Sequence, residues 1–388
     1  MELALAGPIE ISPLVPFIKE SVKSTPHGLG GTPVTHLALE LLRRGRHLTV
    51  FSLDPAVERE VTLEGRQLKI CIGPYRAHHR AWDAFRVERE YLCRAIRRER
   101  PDVVHAHWTY EFALAALASG VPSVVTAHDA PFQVAQLDPS PYRIVRAGMA
   151  VAAVRRAGTL TAVSPHVADH LSKWLWRRKP ISVIPNGLPE WVFDLGVARK
   201  QPSFARAITF ATVLNGWGHL KNGRLALEAF SRLRKQAPGA RLVMFGQHHG
   251  RGEKAERWAS ARGLTSGVEF AGATPHRQLI QRLADDVDVL VHPALEESFS
   301  MAIAEAMALG LPSIGGRDAG AVASTIGSRE NGILIDARSP AELCRAMRVL
   351  ADDACARAQM GGAARAAALE RFPIRKVADA YELEYGAA

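Results

Sequence analysis

Apolar residues along this chain gather in short β-branched runs. Each run is followed by a longer stretch in which apolar positions recur every three or four residues. One set of runs is "HLTVFSL" (47–53), "DVVHAH" (102–107), "PSVVTAH" (122–128) and "GTLTAVS" (158–164). A second set is "AITFATV" (207–213), "ARLVMFG" (240–246), "GVEFAG" (267–272), "DVDVLVHP" (286–293) and "LPSIGG" (311–316). Between them lie helical patterns such as "TPVTHLALELLRRG", "LALEAFSRLRKQAPG", "PHRQLIQRLADD" and "MAIAEAMALG". Strands alternating with helices predict βα units and parallel sheets. Two such series predict an α/β chain of two Rossmann-like, doubly wound domains facing an interdomain cleft. The Pro- and Gly-rich stretch 181–203 interrupts the rhythm and is the expected linker. The domains are then 1–190 and 191–373, with a terminal helix over 374–388 expected to pack back on the first.

The 388 residues suffice for two domains. The opening "MELALAGPIEISPLVPFI" carries Glu2 and Glu10 and no basic segment, so it predicts a buried strand and loop instead of a signal peptide. There is no run of about 20 apolar residues to span a membrane. Cys71, Cys93, Cys344 and Cys355 are irregularly spaced with no CxxC, the pattern of reduced thiols in a cytoplasmic protein. The net charge of +10 is spread through the chain, with +6 in the first 190 residues and +4 in the rest. That distribution suits anionic ligands or an acidic membrane surface better than a nucleic-acid arm.

The chemistry concentrates in "HPALEESFSMAIAEAMALGLPSIGG" (292–316), where Glu305 sits among Ala, Met, Ile and Leu. A helix is expected from Met301, with Ser300 as N-cap and Gly310 and Pro312 as stop signals. Glu297 then lies in the preceding loop and Glu305 one turn into the helix. The amides of Phe299, Ser300 and Met301 can meet an anion at the helix N-terminus. Carboxylates beside an anion site suit a ligand that carries both hydroxyls and phosphates. The plainer alternative pairs Glu305 with a core Arg and leaves Glu297 solvated. Spacing alone keeps both open.

Glu297-x7-Glu305, followed by "EAMALGLPSI", resembles the E-x7-E signature of GT-B glycosyltransferases, in particular the large retaining family 4. "GLGGTPVTHLALELLRRGRHLTVFSLD", "PDVVHAHWTY", "VTAHD", "AVSPHVADHL", "VIPNG", "LKNGRLALEAFSRL" and "NGILIDARSPAEL" extend the resemblance over nearly the whole chain, in order. The resemblance implies a metal-independent transfer of a sugar from a nucleotide-diphosphate sugar to an acceptor hydroxyl, in polysaccharide, glycolipid or small-molecule glycoside synthesis. No cofactor beyond the donor substrate is implied. Glu305 would bind ribose and Glu297 the donor sugar. Lys221 would neutralise the leaving diphosphate. His128, at the end of "PSVVTAH", would stand near the reacting sugar. Gly30 and Gly31 would let backbone approach the diphosphate and acceptor. The chain departs from the family in two places. Asn215 stands six residues before Lys221, where an Arg is common, so Arg251 or Lys254 is the expected substitute. The usual "EGFG" is "ESFS", with Ser298 and Ser300. Gly246, ending "ARLVMFG", and the segment 315–324 are further candidates for donor contact. Thr32 is expected to cap the first helix, with Pro33 behind it.

Two other constellations compete. His105, His107, His128 and Asp129 form an H-x-H…H-D set that could ligate a metal and would make the chain a hydrolase. A GT-B epimerase or a non-catalytic nucleotide-sugar binder would also use the donor residues. In "LSKWLWRRKP" (171–180), Trp174 and Trp176 beside Arg177, Arg178 and Lys179 suit peripheral membrane contact at the inner face. The alternative packs both Trp in the core behind a solvated basic end.

Overall fold

The computed structural model describes residues 1–19, 26–199 and 207–388. The chain forms two compact units, Met1–Gly187 with Ile374–Ala388, and Leu188–Pro373. The border thus falls three residues before the expected one. The expected linker 181–203 is divided between the units: Leu188 opens the second, and Glu190–Ala198 is one of its helices. Residues 200–203 lie outside the described residues.

The first unit holds β1 (Leu3–Ala6), β2 (Leu48–Asp54), β3 (Val61–Glu64), β4 (Leu68–Pro74), β5 (Val103–His107), β6 (Ser123–Ala127), β7 (Thr159–Ala162) and β8 (Ser182–Val183). They form one sheet ordered β3-β4-β2-β1-β5-β6-β7-β8, parallel except for the β3–β4 pair. The chain builds outward from β1 through β2 and β4, then returns to place β5 on β1's other side. The strand order therefore reverses at β1/β5, the switch point where open α/β sheets bind ligands. Leu3, Leu5, Val50, Ile70 and Val124 from the strands pack with Val34, Leu37 and Leu41 of the helix Thr32–Arg43. The terminal helix Ile374–Gly386 joins this core through Ile374, Val377, Tyr381 and Tyr385.

Gly31, not Thr32, occupies the cap position of the first helix, and Thr32 is its first residue. Gly31 has φ +94°, and a Cβ there would lie 2.1 Å from the Pro8 carbonyl oxygen. Only glycine lets the two loops pass so closely.

The second unit holds β9 (Thr209–Val213), β10 (Arg241–Phe245), β11 (Val268–Gly272), β12 (Val289–His292), β13 (Ser313–Gly316) and β14 (Gly332–Ile335), all parallel in the order β11-β10-β9-β12-β13-β14. Its core joins Phe210, Leu242, Met244, Val289, Val291 and Ile314 to Leu227, Phe230 and Leu233 of the helix Gly223–Arg234. Here the strand order reverses at β9/β12. None of the four cysteines is in a disulfide. Among the described residues no helix is long and apolar enough to cross a membrane.

Candidate functional site

In the second unit, two loops leave the carboxyl ends of β9 and β12 side by side. The Leu295 amide donates to the Leu220 carbonyl at 2.8 Å. The Asn222 amide group donates to the carbonyls of Pro293 at 3.0 Å and Ala337 at 2.8 Å. This stapling holds Lys221, from one loop, against Glu297, from the other, with Nζ to Oε1 at 2.6 Å. His292, the last residue of β12, donates from Nε2 to the same Glu297 oxygen at 3.2 Å. Burial pushes the Glu297 carboxyl up, but the Lys221 ammonium and the His292 N–H outweigh it, and its pKa falls to about 2. Glu297 is therefore a carboxylate at neutral pH.

The helix Met301–Ala308 starts where expected, and Ser300 sits at the cap position. Its side chain does not cap the helix: with φ +70°, its Oγ lies 3.3 Å from His292 Nε2. The left-handed backbone turns the hydroxyl back toward the strand and leaves the first-turn amides without a side-chain cap. The backbone of Phe299 is fixed by Thr325, whose hydroxyl donates to its carbonyl. Ser298 is half-buried between Glu297 and Phe299. The Ala321 amide donates to the Glu297 carbonyl at 2.7 Å, so the segment after β13 supports the same loop.

Glu305 lies deeper, buried in this helix, and accepts from His276 Nε2 at 2.7 Å. The predicted partner was a core Arg or a ligand; the protein supplies a histidine from the start of the helix His276–Asp286, with the Trp191 ring edge-on to it at 5.7 Å. Gly246 follows β10 directly with φ +117°, where a Cβ would meet the Leu214 carbonyl oxygen at 1.8 Å. Asn215 is exposed beside it, one residue after Leu214, whose amide donates to the Phe245 carbonyl at 3.0 Å. Lys221, Asn215, Gly246, Glu297 and the start of the 301–308 helix thus share one end of this sheet. Arg251 and Lys254 are exposed in the segment after β10.

In the first unit, the switch point brings Gly7, after β1, against His107, the last residue of β5: a Cβ on Gly7 would lie 3.0 Å from that of His107. His107 Nδ1 is 2.9 Å from His128 Nε2, and the Trp108 ring stacks on His128 at 4.2 Å. Burial lowers the His128 pKa to about 3. Gly31 reaches this end through Pro8, and Gly30, with φ +77°, faces open space.

The metal-site alternative fails on these contacts. Both His105 nitrogens are engaged, with Tyr385 Oη at 2.8 Å and Thr126 Oγ1 at 2.6 Å. Asp129 turns away to accept from Tyr110 at 2.6 Å, with Arg146 at 3.9 Å. Among the described residues no group of three His, Cys, Asp or Glu side chains could hold a metal ion.

The 171–180 segment departs from the surface reading at one residue, Arg177. Trp174 and Trp176 are 60% and 63% exposed, so neither packs in the core. Arg177 is buried instead, donating to the carbonyls of Val154, Ala157 and Gly158 that end the helix Pro141–Arg156. Lys173, Arg178 and Lys179 are exposed around the two indoles.

His292, His276 and Trp108 were not singled out from sequence, and His107 was read only as a possible metal ligand. His292 had one usable signal, its place at a strand end five residues before Glu297. His276 reaches Glu305 across 29 positions of the second unit, and Trp108 reaches His128 in the first through an unusual backbone (φ +64°).

Comparison with known proteins gives one consistent answer. Residues 30–190 match the family model for glycosyltransferase family 4, and residues 209–367 match that for glycosyl transferases group 1. An N-acetyl-alpha-D-glucosaminyl L-malate synthase of Bacillus anthracis is 22% identical over 76% of this chain and 77% of that protein. A D-inositol 3-phosphate glycosyltransferase of Segniliparus rotundus is 29% identical over 70% of this chain, and the match spans 58% of the relative's length. Among solved structures, sucrose-phosphate synthase from Thermosynechococcus elongatus superposes with a TM-score of 0.78 at 17% identity, covering all of both chains. Anabaena HepE in complex with UDP-glucose gives 0.69 at 15% identity, again over both full chains.

Proposed function

Because this chain belongs to glycosyltransferase family 4 and has the GT-B fold, we propose that it is a retaining transferase acting on a nucleoside-diphosphate sugar without a metal ion. The observation that carries the reading is the Lys221–Glu297–His292 cluster at the switch point of the second unit, beside the uncapped amides of the 301–308 helix. A cation and a helix N-terminus suit a diphosphate. A carboxylate held ionised suits sugar hydroxyls, and the buried Glu305 suits the ribose hydroxyls. In this reading Lys221 passes from Glu297 to the phosphates as the donor binds, and its charge stabilises the departing diphosphate. Gly246 and the amides of Phe299, Ser300 and Met301 line the donor; Gly30, Gly31 and His128 serve the reacting sugar and the acceptor.

A front-face route fits these residues. The acceptor oxygen bonds to the anomeric carbon while that carbon's bond to the phosphate oxygen breaks, and the hydroxyl proton passes to the departing phosphate. Asp129 is a poor candidate for a covalent nucleophile, since burial raises its pKa and Tyr110 and Arg146 already engage it.

HepE was solved with UDP and with UDP-glucose, which supports a UDP-sugar as the first donor to try. Calorimetry and hydrolysis assays across UDP-, GDP- and ADP-sugars test the reading. Saturable binding of one class, abolished by Lys221→Ala, is expected; no binding of any class would overturn it.

The exposed Trp174 and Trp176 among Lys173, Arg155, Arg178 and Lys179 support peripheral contact with an anionic lipid surface. Co-sedimentation with phosphatidylglycerol vesicles that is lost on Trp174→Ala with Trp176→Ala is the expected result. Equal recovery of the two proteins with the vesicles would exclude it.

A further inference from the structure

His128 can hydrogen-bond in two ways, and its neighbour selects between them. Its Nε2 is committed to His107 Nδ1 at 2.9 Å. No described residue bonds its Nδ1, which leaves that nitrogen for a ligand. Both rings are buried and neutral, because burial disfavours the charged form and, for His107, the neighbouring His105 and His128 add to this. Two neutral imidazoles sharing one hydrogen bond leave two arrangements. If His128 donated from Nε2, His107 would have to carry its own proton on Nε2. That atom is buried and bonds no described residue. A buried N–H without an acceptor is the rarer defect in folded proteins. If His107 donates from Nδ1, its Nε2 is only a bare lone pair, and His128 must be protonated on Nδ1.

We propose that His107 is a positioning residue that fixes His128 as the Nδ1–H tautomer, so that His128 presents a hydrogen-bond donor to a substrate oxygen. His107 is itself set in place on two sides. Gly7 closes on its Cβ. The His105 ring lies against it at 4.0 Å. His105 in turn is pinned by Thr126 and by Tyr385 of the terminal helix. A donor N–H recognises a hydroxyl or carbonyl oxygen of the substrate and cannot take a proton from the acceptor hydroxyl. The assignment therefore removes His128 as general base, which leaves the acceptor's proton to the departing phosphate.

The test is a two-bond 1H–15N correlation spectrum of the histidine-labelled full chain, with the His128 signals identified by their loss in His128→Gln. The wild type is expected to show His128 neutral with its proton on Nδ1; a proton on Nε2 would overturn the proposal outright. His107→Asn places an amide donor near the position of Nδ1 and should keep both the tautomer and kcat/KM to within about threefold. His107→Leu should let His128 shift toward Nε2–H and lower kcat/KM by about tenfold, the scale of one hydrogen bond. An unchanged tautomer in His107→Leu would also sink the idea. The kinetic half rests on the proposed sugar transfer. The tautomer is read without substrate, so the two can fail separately.

Discussion

Replacing Lys221 or Glu297 probes the centre of the proposed donor site. Glu297 falls from the ordinary 4.5 to about 2 although burial alone would raise it. At 1.36 kcal/mol per unit, that is about 3 kcal/mol of net preference for the carboxylate. Lys221 and His292 share this preference, and Lys221 is one-third exposed, so water screens its part. A double-mutant cycle of Lys221→Met and Glu297→Gln should therefore give about 1–2 kcal/mol of coupling at pH 7 in urea unfolding. The pH dependence has a definite sign. A depressed folded pKa gives stability that is present above the unfolded value and is lost as pH falls through the folded one. The advantage of wild type over Glu297→Gln should be flat above about pH 5 and shrink toward pH 2. In activity, Lys221→Met should lower kcat/KM by about a hundredfold or more, since it removes charge stabilisation of the leaving group. The double variant should recover stability but not turnover. Zero coupling, or an advantage already gone at pH 4.5, would refute the electrostatic account.

Glu305→Ala should raise the KM for the donor about tenfold or more while leaving the fold intact, because His276 is half-exposed and can be hydrated; unchanged donor kinetics would count against the ribose role. Gly31→Ala should lower the melting temperature sharply, since its Cβ would enter the Pro8 carbonyl, whereas Gly30→Ala, with open space around it, should cost only about 1 kcal/mol from its positive φ. Arg177→Leu should strip three carbonyls of a shared donor, costing about 1–3 kcal/mol for each one left dry, and make the 171–180 segment the first site of protease cleavage.

The strands that carry the site were legible because each is a short β-branched run buried on both faces, and their order with intervening helices implies parallel sheets. Glu305 stood out by its contrast with an apolar surround, but spacing left its role and that of Glu297 open, and it was the E-x7-E resemblance that singled out the pair. The β3–β4 pair was not read, since "VTLE" and "LKICIGP" flank a polar turn and belong to no βα unit. Ser300 has the residue type of a cap, but its left-handed backbone, which no composition rule announces, sends its hydroxyl to His292. His276 looked like any polar helix start, and only the fold brings it across 29 positions to Glu305. The histidines at 105, 107 and 128 were read as one cluster. Their ring contacts and the His107–His128 bond agree, but Thr126 and Tyr385 occupy the nitrogens that a metal would need.

The terminal helix has a consequence for biosynthesis. Tyr381 and Tyr385 pack against His105 in the interior of the first unit, so that core is complete only once residues 374–388 have been made. The second unit, a single uninterrupted stretch, can fold while the first waits. The core of the first unit is thus built from two stretches separated by the whole of the second unit, and the His105 ring that lies against His107 is buttressed by the later of them.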